Sequence, residues 1–215
     1  MDAEPPQNWR TARRAGTAAI AGSMLVTALL WLAILWFGPV IQGVDTMGDR
    51  MVFALKCCCV AVLFCLVMGV EAVAHERLQS PAFDPLAGYE TRRLRVNLRY
   101  LQNTLEQFTV FAFALFGLAA YGDTELGLRA VLATAIVWML TRFAFWLGYH
   151  RSAAMRGLGA PGMMVSILAL LYVVGRISFD IAGWAGVVAF LLAFVLIEAV
   201  LFLKTRPTPA RERIE

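Results

Sequence analysis

The chain has 215 residues, of which 60% are hydrophobic and 16% charged, with a net charge of +4 and a mean hydropathy of +0.69. Disorder is excluded, because it needs low hydrophobicity and high charge. So is an ordinary water-soluble globule, which averages about 45–50% apolar and about 25% charged residues.

Six apolar stretches follow along the chain, at roughly 16–38, 51–74, 96–121, 126–149, 161–178 and 181–203. Most reach the ~20 residues that cross a hydrocarbon core. Lipid offers backbone groups no partners, so the stretches are expected as helices. The runs are continuous rather than alternating, which excludes a transmembrane β-barrel. The expected fold class is therefore all-α integral membrane, with six transmembrane helices. The first stretch follows Arg10, Arg13 and Arg14. It is too long for a signal-peptide core and no small-x-small site follows Phe37, so it reads as a retained helix. Asp2 and Glu4 argue against a mitochondrial transit peptide. The second holds Cys57, Cys58, Cys59 and Cys65. Adjacent helical positions point ~100° apart, so these read as small apolar side chains, not as a metal site or a disulfide framework. Gly38-Pro39, Gly122-Asp123, Gly157 to Gly162 and Gly183 punctuate the stretches.

Charge is sided. One set of ends carries Arg10, Arg13, Arg14, Arg77, Arg92, Arg93, Arg95, Arg99, Arg151, Arg156, Lys204, Arg206, Arg211 and Arg213. The opposite loops carry Asp45, Asp49, Asp123, Glu125 and Asp180, with only Arg50, Arg129 and Arg176. The positive-inside rule puts the basic ends in the cytoplasm, and six crossings put both termini there. The basic excess thus serves topology and lipid headgroups, and no nucleic-acid partner is expected. Trp9, Trp31, Trp36, Trp146 and Trp184 fall near segment ends, as in an interfacial belt. A short, mobile basic tail is expected after Lys204.

Charges inside spans are costly and non-random. In the third stretch, Arg99, Asn103 and Glu106 lie at i, i+4, i+7 on one face, flanked by Gln102 and Gln107. In the fourth, Arg142, Phe145 and Tyr149 lie at i, i+3, i+7, and Arg156 returns to that face if the helix continues. Similar depths predict that Glu106 and Arg142 are neighbours that neutralise each other. Glu71, His75 and Glu198 read as interhelical glue. The other group, with several cations, one carboxylate and one amide, suits a zwitterionic, multiply anionic guest. With only His75 and His150 present, a histidine zinc site is not expected, and metal ligands are none.

These two motifs resemble the family of membrane-associated proteins in eicosanoid and glutathione metabolism (MAPEG). The family pattern Arg-x-x-x-Asn-x-x-Glu matches Arg99, Asn103 and Glu106, and "NTLEQ" is similar to bacterial members. Arg142, Phe145, Gly148-Tyr149 and Arg156 match the next helix, and "GYHRSAAMR" resembles the leukotriene C synthase segment. Phe145 replaces a frequent Tyr, and Gln107 stands where transferases often carry an aromatic residue. The resemblance covers residues 51–178. It implies a four-helix core there, with an extra helix within 1–50 and another within 179–215. It further implies a homotrimer in a membrane (a bacterial inner membrane) with glutathione as co-substrate between protomers, and a lipophilic second substrate from the bilayer. Arg99, Asn103 and Glu106 would hold the peptide portion, Tyr149 would contact it, and Arg77 is a weaker candidate across the interface. Arg156 would be catalytic, favouring the thiolate, since a guanidinium lowers the ordinary thiol pKa of about 8.5. The implied activity is glutathione transfer, peroxide reduction or isomerisation. A non-catalytic membrane scaffold or accessory subunit is the alternative, and a small transporter ranks last.

Overall fold

The computed structural model describes residues 9–205. The tails with Asp2, Glu4, Arg206, Arg211 and Arg213 lie outside the described residues, as do the side chains of Trp9 and Arg10. The fold is all-helical: α1 (Trp9–Phe37), α2 (Met47–Ala61), a π-helical turn (Val62–Val67), α3 (Met68–Leu78), α4 (Arg92–Tyr121), α5 (Glu125–Arg151) and α6 (Ala160–Lys204), with short 3-10 turns at Pro81–Phe83 and Met155–Gly159. Five helical stretches are long and apolar enough to cross a bilayer, α2, the π-turn and α3 together forming one of them. The protein is a multi-pass membrane protein.

Six stretches were expected, and the difference lies in α6. Its 45 residues carry both the fifth and the sixth stretch. Run straight they would measure ~68 Å, more than twice a hydrocarbon core of ~30 Å. The backbone leaves helical geometry at Ala182 and Gly183, and Gly183 takes φ +59°, ψ −148°, a region open essentially to glycine alone. A Cβ on Gly186 would collide with the Ser178 carbonyl, eight residues earlier. In a straight helix those positions are ~12 Å apart, so the chain bends sharply here.

The chain divides into two compact units, residues 1–170 and 171–215. In the first, threonine caps fix helix starts: Thr91 Oγ1 accepts from Leu94 N at 2.9 Å, and Thr124 Oγ1 from Gly127 N at 3.1 Å. Thr46 and Asp49 form a reciprocal capping box at α2. Only residues 122–124 join α4 to α5, so the two form an antiparallel hairpin. Toward the acidic end, Cys57, Cys58 and Cys65 pack with Phe111, Leu115, Val131 and Trp138 in a buried core. Phe111 stacks on Trp138 at 4.4 Å between ring centroids. All four cysteines are free; Cys59 is exposed, and the other three pack as apolar side chains in that core.

The π-turn has a specific partner. A π-turn breaks the regular i→i−4 ladder and is a common place for a carbonyl to need outside help. Tyr100, fully buried on α4, donates its hydroxyl to the Cys65 carbonyl at 2.9 Å. Tyr100→Phe removes that donor at a site water does not reach. The expected result is a loss of about 1–2 kcal/mol, read as a lower melting temperature in detergent with helicity retained. An unchanged melting temperature would show that the π-turn does not depend on the phenol.

Candidate functional site

The hairpin geometry sets which residues meet. Counting from the α4–α5 connection at 1.5 Å per residue, Asn103 lies ~27 Å away on α4 and Arg142 ~26 Å away on α5, whereas Glu106 is only ~23 Å away. Arg142 accordingly meets Asn103 rather than Glu106. Its Nη1 donates to Asn103 Oδ1 at 3.0 Å, and its Nη2 to the Gly159 carbonyl at 2.5 Å. The expected Glu106–Arg142 ion pair is not formed. Ion pairs form instead at His75–Glu71, Arg93–Glu76 and Arg129–Glu125. Glu106 is exposed and accepts from Gln102 Nε2 at 3.1 Å, while Gln102 Oε1 accepts from Arg99 at 3.2 Å. Gln102 therefore links the ends of the Arg99–Glu106 stripe.

Arg142 is fully buried with no carboxylate beside it. An isolated buried charge is costly. Here two hydrogen bonds and aromatic faces offset that cost: the guanidinium lies 5.3 Å from the Phe145 ring centroid and 5.9 Å from that of Trp138. Its Nε has no hydrogen-bond partner among the described residues. The approach to Gly159 requires a glycine, since a Cβ there would run into Phe145.

The result is a crevice of about 530 Å³. Arg99, Asn103, Glu106, Arg142, Tyr149 and Arg156 all line it. Gln102, Gln107 and Phe145 join them, so both departures from the family pattern sit in the wall. Gln107 Nε2 donates to Asn103 Oδ1 at 3.2 Å, and Gln107 Oε1 is buried without a partner among the described residues. Arg142 can only donate, so the atom facing it must be the Asn103 oxygen. With Arg142 and Gln107 both on that oxygen, the Asn103 amide N–H groups have no partner among the described residues. Arg156 reaches the crevice not from a continued α5 but from the 3-10 turn Met155–Gly159, after α5 ends at Arg151. Arg77 stands apart: it does not line the crevice, is half-buried at the end of α3, and its Nε has no partner among the described residues.

Behind the crevice lies a node that the sequence reading missed. Asn97 Oδ1 sits 2.9 Å from Trp146 Nε1 and 2.9 Å from His150 Nε2, and its Nδ2 reaches the Ala72 carbonyl at 3.4 Å. Trp146 is thus held by a neighbouring helix near the segment end. It stacks on Tyr100 at 4.7 Å and 13°. The i, i+4 spacing of Trp146 and His150 was the available signal. Trp31 is likewise engaged, donating to Thr134 Oγ1 at 3.1 Å, whereas Trp36 and Trp184 are exposed as a belt requires. Helix α1 also enters the site, because Ile20 forms part of the crevice wall.

The family model described as MAPEG family matches residues 53–179. Among curated proteins, the chain is 25% identical over 162 residues to Transmembrane protein 79 of Mus musculus, covering 75% of this chain and 41% of that protein. It is 24% identical over 162 residues to Transmembrane protein 79 of Bos taurus, covering 75% and 40%. The chain thus spans about two fifths of the length of these relatives. No solved structure matches it.

Proposed function

We propose that this chain, which belongs to the MAPEG family, is a membrane enzyme that binds glutathione in the crevice of α4 and α5 and delivers its sulfur to a lipophilic substrate. One observation carries the reading. Arg142 and Gln107 together fix the Asn103 oxygen, leaving amide donors for a carboxylate, while Arg99, Glu106 and Arg156 line the same crevice. Glutathione has two carboxylates, an ammonium and a thiol. Arg99 and the Asn103 amide suit a carboxylate, and Glu106 suits the ammonium. Tyr149 offers a hydroxyl, and Arg156 is left to favour the thiolate. Arg142 acts as a positioning residue through Asn103.

Assembly follows the same logic. Arg99, Gln102 and Glu106 are exposed on a membrane-spanning helix, and hydrocarbon is a poor solvent for them. Packing between copies, as a homotrimer, covers that stripe and makes the crevice an interprotomer site. The basic ends face the cytoplasm by the positive-inside rule, with both termini there, in a bacterial inner membrane.

Calorimetry on the protein in nanodiscs tests the reading. Glutathione is expected to bind, and Asn103→Ala to weaken binding about 10-fold to 100-fold, the worth of a hydrogen bond to a charged group. An intact oligomer that binds no glutathione would overturn the enzyme reading in favour of a membrane scaffold.

A further inference from the structure

Helix α1 packs on the rest of the first unit, with Thr27 buried midway, and is fastened at both ends. Toward the basic end, Gly16 lies against the Ala154 backbone, and Ile20 packs so closely on Gly157 that a Cβ there would come within 2.9 Å of it. Toward the acidic end, Trp31 bonds to Thr134 Oγ1 at 3.1 Å, and Arg129 Nη1 donates to the Trp36 carbonyl at 3.2 Å. Between these fastenings a groove of about 470 Å³ stays open. Ala18, Gly22, Val26 and Leu30 of α1 face Leu140 and Ala144 of α5 across it. Small residues let membrane helices approach closely, and the groove opens beside that contact, in which Thr27 of α1 is buried.

The groove has the dimensions and chemistry of one lipid tail. From Ala18 to Leu30 it runs ~18 Å along α1, close to half of the ~30 Å hydrocarbon core. Both walls are membrane-spanning helices, so its surroundings are acyl chains. A Cβ on Gly22 would meet nothing within 4 Å. Glycine weakens a helix interior, and no side chain of this protein comes close enough to require its absence of bulk.

The headgroup end is equally marked. Arg14 lies one turn before Ala18 on the same face of α1, and Arg151 lies seven residues after Ala144 on the same face of α5. Both are exposed, and neither takes part in the ion pairs among the described residues. We propose that the α1–α5 groove binds one acyl chain of an anionic phospholipid of the bilayer, with its phosphate between Arg14 and Arg151. The lipid lies along the α1–α5 contact, beside the segment that carries Ile20 into the crevice wall. The assignment does not depend on thiol chemistry.

Native mass spectrometry tests it on the full chain, released from nanodiscs of phosphatidylcholine and phosphatidylglycerol in equal amounts. The wild-type protein is expected to retain phosphatidylglycerol over phosphatidylcholine by about 10-fold to 30-fold, the effect of two arginines at an anionic surface. The R14Q/R151Q double variant is expected to lose the preference but keep a bound lipid. Gly22→Leu, whose side chain grows into open space, is expected to lose bound lipid of both kinds at unchanged helicity. Ala144→Leu repeats that test from the opposite wall. Equal retention of the two lipids by the wild type would overturn the headgroup assignment. Full lipid retention by both groove-filling variants would overturn the tail assignment. Displacement of phosphatidylglycerol by inorganic phosphate would reduce the site to an anion site and overturn the proposal.

Discussion

Arg156→Ala is expected to lower thiol-dependent turnover at neutral pH about 100-fold to 1,000-fold, the usual cost of removing one preorganised charge stabiliser. Stability is expected to hold, because Arg156 is exposed on a 3-10 turn and no hydrogen bond or ion pair involves it among the described residues. The pH profile separates this role from simple binding. A guanidinium beside the sulfur keeps the thiol pKa below its ordinary value of about 8.5. Without it the pKa returns upward, the thiolate fraction at pH 7 falls, and activity recovers as pH rises through about 8.5. Wild-type turnover is expected to stay flat over that window. The check is turnover against pH with wild type, Arg156→Ala and Arg156→Lys, the last keeping the charge. Parallel profiles for wild type and alanine variant would remove Arg156 from thiol activation.

The second large effect is structural. Arg142→Leu is expected to destabilise the protein by about 2–5 kcal/mol, because it orphans the buried Gly159 carbonyl and leaves the Asn103 oxygen to Gln107 alone. Glutathione affinity is expected to fall at least 10-fold, since Asn103 loses one of the two contacts that orient it. Glu106→Gln supplies the contrast. It removes a charge from an exposed residue tethered only through Gln102, so stability should hold while affinity for the ammonium falls. Thermal unfolding in detergent and calorimetry on both variants read the two quantities. Had Glu106 and Arg142 been paired, the two substitutions would destabilise alike. Retention of the wild-type melting temperature by Arg142→Leu would show that Arg142 does not set the floor of the crevice.

Helical spans and the polar stripes were legible because both are periodic. Lipid forbids unsatisfied backbone, so long apolar runs had one structural solution, and i, i+4, i+7 spacing put Arg99, Asn103 and Glu106 on one face. Partner choice was not legible at the same level. Glu106 and Asn103 differ by less than one helical turn, and charge complementarity favoured the wrong one. Only the length of the connection at residues 122–124, which fixes the stagger of α4 on α5, decides for Asn103. Arg156 was placed in the site on the assumption that α5 continues, and it arrives there after α5 has stopped. The Asn97 node was invisible for another reason. A tryptophan near a segment end reads as interfacial, and nothing in one chain's pattern says that an asparagine on another helix will claim its N–H.

The wide turn at Val62–Val67 sets the phase of the span that contains it. Buried Ala61, Cys65 and Gly69 recur every four residues, a step that drifts ~40° per turn on a regular α-helix. The extra residue taken up by the π-turn cancels much of that drift. The segment beyond it keeps Gly69 against the Tyr100 ring, where a Cβ would come within 3.0 Å. The same phenol that caps the Cys65 carbonyl therefore rests on the helix whose rotation that turn controls. One aromatic side chain gears the angular setting of the Met47–Leu78 span to the helix that carries the crevice asparagine.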